Sequence, residues 1–309
     1  MRALTQYQWP DWARATPLVH GFKRVRNVGL ERAFRRRRPR ALSRFLAAHA
    51  GLAGRTIAFS VAYNTPWVVD LLARAAKIHL VADALVVVDN SRSAAARQQI
   101  EQLCGAHGAL YLGLPFNPEW HPCRSNGLAM TWTYYNVVRP LRPRVFGFLD
   151  HDLIPLDRLD LARLVESQPF YGKLNESRWG WNLWAGYCVY DFATVEPYRL
   201  DFNNDVPRLL DTGGQNFRAL YRHHDRRALR FAQERDDAPL LDPLDGTERR
   251  VELIDACAHI GRVSYDASPQ GRPDRAFYER LVQACESGGQ LADFRPRQAQ
   301  PATAASGVA

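Results

Sequence analysis

Residues 56–91 read TIAFSVAYNTPWVVDLLARAAKIHLVADALVVVDNS, and this stretch decides the fold. TIAFSVAYN has the apolar content and length of a buried strand, a helix is predicted from about Pro66 through Lys77, and ALVVVDNS is a second apolar strand closed by turn residues. Further along, residues 93–107 are spaced as a helix, ALYLGLP (109–115) is a third strand, residues 126–138 are helical, and VFGFLD (145–150) is a strand that ends on an acid. Strands alternating with helices at this spacing predict an α/β fold with a mostly parallel central sheet covered on both faces. Ligands gather at the carboxyl ends of such strands, which here carry Asn64, Asp89 and Asp150.

Beyond Asp160 the pattern loosens. NLWAGYCVYD (182–191) is one more strand, residues around 205–222 are loop and helix, and VELIDACAHIGRVSY (251–265) supplies a final strand or two. In the other direction, residues 1–55 form an Arg-rich preamble containing RRRRPR. Leu42, Phe45, Leu46 and His49 fall at steps of three and four, which predicts a short amphipathic helix from Pro39 to near Gly51. The expected organisation is therefore a basic segment 1–55, a main domain 56–286 and a Pro/Ala/Gln-rich disordered tail 287–309. No internal repeat is visible.

The 309 residues are 46% hydrophobic and 24% charged, an ordinary composition for a water-soluble globular protein that excludes collagen-like, coiled-coil and wholly disordered chains. No apolar run approaches the ~20 residues of a membrane span, and the first residues lack the apolar core of a signal peptide, so a cytoplasmic protein is expected. Cys104, Cys123, Cys188, Cys257 and Cys285 are scattered, without a CxxC pair, and are read as reduced thiols. The formal net charge of +9 is local: Lys23 and eleven arginines against Asp11 and Glu31 give residues 1–50 a net +10, leaving the remainder at −1.

VFGFLDHDLIP (145–155) carries the strongest chemical signal. In an extended chain residues i and i+2 face the same way, so Asp150 and Asp152 can both address one hard cation while His151 points away. Mn2+ or Mg2+ held by carboxylates keeps positions open for phosphate oxygens. The alternative for the pair is a helix cap plus a solvated acid.

Taken in order, AYNTPWVVDLL, VVVDNS, RSNGLAMTW and FLDHD resemble the nucleotide-sugar-dependent glycosyltransferases of the GT-A fold, most closely the family 2 type. The resemblance covers roughly residues 56–156. It implies a Rossmann-like α/β/α sandwich and a UDP- or GDP-sugar donor. It also implies an acceptor of unknown identity, such as a cell-envelope glycan or glycolipid. By the same resemblance Ala62, Tyr63 and Asn64 lie near the nucleoside and Asp89 hydrogen-bonds the base or ribose, with Asp89 and Ser91 as caps of the next helix the alternative. Arg124 and Asn126 approach the nucleotide or diphosphate, Asn126 also being a fit N-cap for a helix from Gly127.

His259 in AHIG resembles the late histidine that completes the metal site in such enzymes, joining Asp150 and Asp152 if it folds back against Asp152. Asp211 is the candidate base that takes the acceptor's proton, which implies inversion at the anomeric carbon, although the family's usual acidic pair is absent; otherwise it caps the helix containing Asn216 and Leu220. Trp181, Trp184 and Gly186 correspond to a stretch beneath the sugar, Trp184 and Gly186 being the preferred contacts, and core packing explains the same aromatics.

Two other readings compete. A phosphohydrolase of the haloacid dehalogenase type would use Asp150 as nucleophile with Lys173 and Asp236–Asp237. A non-catalytic protein would bind anionic surfaces through RRRRPR. No DNA- or RNA-binding module signature is present, which argues against nucleic acid as partner. The basic residues 1–50 beside an apolar helix could instead hold the chain on the inner, anionic face of a membrane.

Overall fold

Apolar residues at almost every position of 56–62 leave both faces of that strand to be covered, and the chain covers them with helices drawn from either side of it in sequence. The computed structural model describes residues 3–261, 263 and 273–296. Three helices come first: α1 (Trp9–Ala13), α2 (Thr16–Arg35) and α3 (Arg40–Ala48). Then follow β1 (Thr56–Ala62), α4 (Pro66–His79), β2 (Leu80–Val81), β3 (Ala84–Asp89), α5 (Ala94–His107) and β4 (Leu110–Gly113). Next, α6 (Pro122–Thr133) runs through a wider π turn at Tyr134–Val138 into α7 (Arg139–Leu141) and β5 (Val145–Leu149). The remainder comprises β6 (Leu153–Pro155), β7 (Leu159–Asp160), α8 (Leu161–Leu164), β8 (Phe170–Ser177), β9 (Gly180–Asp191), α9 (Phe192–Val195) and α10 (Asn216–Ala219). It closes with β10 (Glu234–Leu241), β11 (Glu248–Ile254), β12 (Cys257–His259) and α11 (Arg275–Glu286).

The central sheet has six strands in the order β4-β3-β1-β5-β9-β8. The first four are parallel, as expected, and β9 runs antiparallel to both β5 and β8. Side-chain alternation splits the core in two. Ala58, Ala62, Leu85, Val87, Val145 and Leu149 face one layer with α4, α5 and α11, whereas Ile57, Phe59, Val61, Val86, Phe146 and Phe148 face the other with α6. The result is the expected α/β/α sandwich around a mostly parallel sheet.

A second sheet, β10-β11-β12-β6, is antiparallel, and β6 leaves the end of β5 to join it. That crossing places residues 150–152 between the two sheets.

The predicted amphipathic helix exists as α3, and its apolar face packs on the domain, Leu42 and Phe45 entering the α6-side core together with Phe34 of α2. One expectation needs correction. Residues 287–296 are ordered: Leu291 and Phe294 are buried, and Leu291 N–H donates to the Leu156 carbonyl at 3.0 Å. The rest of the expected disordered tail, 297–309, lies outside the described residues. No helix among the described residues is long and apolar enough to cross a membrane.

Candidate active site

The acids at the end of β5 sit in a tight turn, not in an extended strand. Leu153 N–H donates to the Asp150 carbonyl at 3.0 Å, closing a four-residue turn between β5 and β6. The alternation that was to direct His151 away therefore does not apply. His151 Nδ1 lies 3.2 Å from Asp150 Oδ1, and ligand atoms of Asp150, His151 and Asp152 all fall within 4.8 Å of one another.

β12 brings in the histidine. Its antiparallel pairing with β6 sets His259 opposite Leu153, and Ile260 N–H donates to the Asp152 carbonyl at 2.9 Å. His259 thus folds back as required, with Nε2 3.6 Å from Asp152 Oδ1. Its Nδ1 lies 2.6 Å from Glu252 Oε2 on the paired strand β11. A carboxylate only accepts, so Nδ1 carries the proton and Nε2 is left toward Asp152. Lys173 anchors Glu252 in turn at 2.8 Å and also pairs with Glu234.

The electrostatics follow from this crowding. Burial pushes the Asp150 carboxyl up, but the hydrogen bond and charge of His151, with the charge of His259, outweigh it and hold its pKa low. Burial, then the charge of Asp150, raises Asp152. Burial disfavours a charged His259, yet the Glu252 hydrogen bond and the nearby Asp152 raise its pKa. Glu252, despite burial, is pulled down to about 2 by hydrogen bonds from His259 and Lys173. Asp152 Oδ1 is buried without a hydrogen-bond partner. A carboxylate oxygen so placed, with a second carboxylate and an imidazole beside it, fits a hard divalent cation such as Mn2+ or Mg2+.

These groups open onto a cavity of about 300 Å³ that is also lined by Tyr63, Asn126, Trp184 and Asp211. Six sequence segments read separately thus meet at one place. Asn126 lies inside α6, whose N-cap is His121, so the N-cap reading is dropped; its Oδ1 is buried and unpaired. Asp211 is exposed, and α10 starts with Gln215 as N-cap and no side-chain cap, so Asp211 does not cap that helix. Trp181 is core, stacked on Tyr221 at 5.0 Å, whereas Trp184 meets His259 edge-on at 4.9 Å.

Ala62, Asn64, Asp89, Arg124 and Gly186 do not line the cavity. Ala62 is fully buried in the sheet. Asn64, at positive φ, uses its side-chain oxygen to accept from the Arg92 and Ser93 N–H groups, tying the ends of β1 and β3 together. Asp89 is fully buried, its two oxygens accepting from Ser91 N–H and Tyr111 O–H at 2.8 Å each, and the helix cap is Ser93. Arg124 is paired with Glu119. Gly186 acts from behind: its carbonyl accepts from Asp150 N–H at 2.8 Å, and a Cβ there would meet the Trp184 ring at 2.2 Å.

Sequence reasoning missed Asn90, Trp120 and Ser125 in the lining. Asn90 Nδ2 donates to Ser125 Oγ at 3.0 Å, fastening the first turn of α6 to the end of β3. The signal for Asn90 was its place directly after Asp89, at a strand end. Lys173, Asp236 and Asp237, required by the phosphohydrolase reading, do not line the cavity, and Lys173 is held by two glutamates. That grouping is therefore not formed.

No family model matches the chain, and no curated protein matches it. Solved structures match in part. Glucosyl-3-phosphoglycerate synthase from Mycobacterium tuberculosis, in complex with Mn2+, uridine diphosphate and glucosyl-3-phosphoglycerate, is 18% identical over 44% of this chain and 49% of that one, at a TM-score of 0.29. The same synthase in complex with phosphoglyceric acid aligns at 16% identity over 50% and 62%, TM-score 0.31. S. aureus TarS aligns at 12% identity over 48% and 30%, TM-score 0.34. The chain spans about half the length of the first of these structures.

Proposed function

We propose that the chain is a GT-A-type glycosyltransferase. It moves a sugar from a UDP- or GDP-linked donor to an acceptor hydroxyl, with Mn2+ or Mg2+ held by Asp150, Asp152 and His259. The observation that carries this reading is the buried Asp152 Oδ1, without a hydrogen-bond partner and 3.6 Å from His259 Nε2, on the wall of a cavity that also holds Asp211 and Trp184. When bound, the ion supplies charge neutralisation for a departing diphosphate.

The chain's own residues do the rest. Pro122, Cys123, Ser125 and Asn126 bring the N-terminal part of α6 to the cavity, where the helix dipole favours an anion. Trp184 offers an aromatic face to the apolar side of a sugar ring. Asp211, exposed to solvent, takes the proton from the acceptor hydroxyl as its oxygen attacks the anomeric carbon and the bond to the diphosphate breaks, inverting that centre. Thr212 steadies this loop by donating from Oγ1 to the Cys123 carbonyl at 3.1 Å.

The test is turnover of UDP- and GDP-sugars with released nucleoside diphosphate as the readout, in Mn2+ and in EDTA. Asp211→Asn is expected to keep donor affinity and lose about 10²- to 10⁴-fold in transfer. Unchanged transfer removes Asp211 as the base, and no metal-dependent release from any donor contradicts the reading as a whole.

A further inference from the structure

We propose that the outward face of α2, together with α1, is a docking surface for an anionic lipid bilayer. Leu18, Phe22 and Val25 recur at helical steps of four and three, so they form one stripe, and they are 71%, 73% and 74% exposed. The opposite face of the same helix is the one that packs, through the buried Glu31 and Phe34. Trp9 on α1 is 80% exposed, and Trp12 is exposed as well. Among the described residues, seven of the thirteen exposed large apolar side chains lie between Leu4 and Val25. So dense a patch in so short a segment marks an interaction surface.

Charge decides what covers it. Lys23, Arg24, Arg26 and Arg32 are exposed on the same helix, Arg26 and Arg32 nearest the stripe by helical spacing, within a segment of net charge +10. A second copy would bring the same cations against them, and like charges juxtaposed at an interface are costly. Nucleic acid would satisfy the cations but leave Leu18, Phe22 and Val25 in water. An anionic bilayer satisfies both, the stripe and tryptophans entering the headgroup boundary while the basic groups meet lipid phosphates. Within residues 1–50 it is α1 and α2 that present apolar side chains outward, since the apolar face of α3 is used inside the fold.

The helix is also tied to the cavity. Arg26 pairs with Glu119 at 3.8 Å and Arg37 donates to the Phe116 carbonyl at 2.9 Å, in the loop whose exposed Trp120 lines the cavity. Docking itself needs no catalytic activity, so it stands or falls apart from the transferase reading.

The test is co-sedimentation of the full chain with phosphatidylcholine vesicles and with vesicles containing phosphatidylglycerol, at low and high salt. The wild type is expected to bind only the anionic vesicles and to release as salt rises. Phe22→Ser/Val25→Ser is expected to weaken binding by at least about tenfold. Lys23→Glu/Arg24→Glu should weaken it comparably, and both variants should melt as the wild type does because these side chains are exposed. Absence of binding by the wild type, or equal binding by the Ser variant, overturns the proposal. So does a wild-type dimer that the Ser variant dissociates, since that assigns the face to a second copy.

Discussion

At the scale of single residues, the cavity depends on side chains held by others that never reach it. Gly186 is the sharpest case: it has no Cβ so that the Trp184 ring can lie across it, 2.2 Å from where a Cβ would stand. Gly186→Ala forces the ring aside. A loss of about 1–3 kcal/mol in stability is expected from such overpacking, with weaker donor binding, measured by melting temperature and nucleotide-sugar titration. An unchanged melting temperature would mean that the ring has another place to go. Asp89 teaches the converse. Its position at a strand end is that of a ligand contact, but Tyr111, twenty-two residues away on β4, occupies one of its oxygens, and no local pattern announces that partner. Asp150 and Asp152 were readable because they follow an apolar strand at the carboxyl end, where ligands gather, and His259 through the resemblance of AHIG to the late histidine of such enzymes. The turn that sets their spacing was not, because one hydrogen bond from Leu153 converts an extended DxD into a bend.

At the scale of elements, the parallel half of the sheet was legible because β1, β3 and β5 are buried on both faces and so appear as unbroken apolar runs. The antiparallel strand β10 was not, since the first half of ERDDAPLL is polar and exposed, and of β11 only its buried end, VELI, was legible as strand. What attaches β10 to the rest is partly ionic. Arg280 of α11 donates to both oxygens of the buried Asp242, just beyond β10, at 2.7 and 2.5 Å, and this pairing lowers the Asp242 pKa against the effect of burial. A carboxyl whose folded pKa lies below its unfolded value of about 3.9 stabilises above that value and ceases to do so as pH falls through the folded one. Arg280→Gln should therefore melt below the wild type at neutral pH, with the gap closing as pH drops below about 4. A gap that stays constant across that range would show the pair to be electrostatically idle.

At the scale of the whole molecule, the N-terminal segment is part of the fold and not a removable appendage. Phe34, Leu42 and Phe45 are buried against the sheet, and exposing three such side chains costs about 5–9 kcal/mol, comparable with the stability of an entire domain. A chain starting at Thr56 should accordingly lose its cooperative melting transition; retention of that transition near the wild-type temperature would contradict this. The net charge of +9 is thus carried by helices that belong to the core on one side and face solvent on the other. The central claim remains the cation and sugar-nucleotide site where the two sheets meet. Its most direct test is thermal stabilisation of the wild type and Asp152→Asn by a panel of nucleotide sugars, each with and without Mn2+. The wild type should be stabilised by at least one donor only when Mn2+ is present, and Asp152→Asn should not respond. A wild type indifferent to every donor, or a variant that responds equally, would contradict the claim.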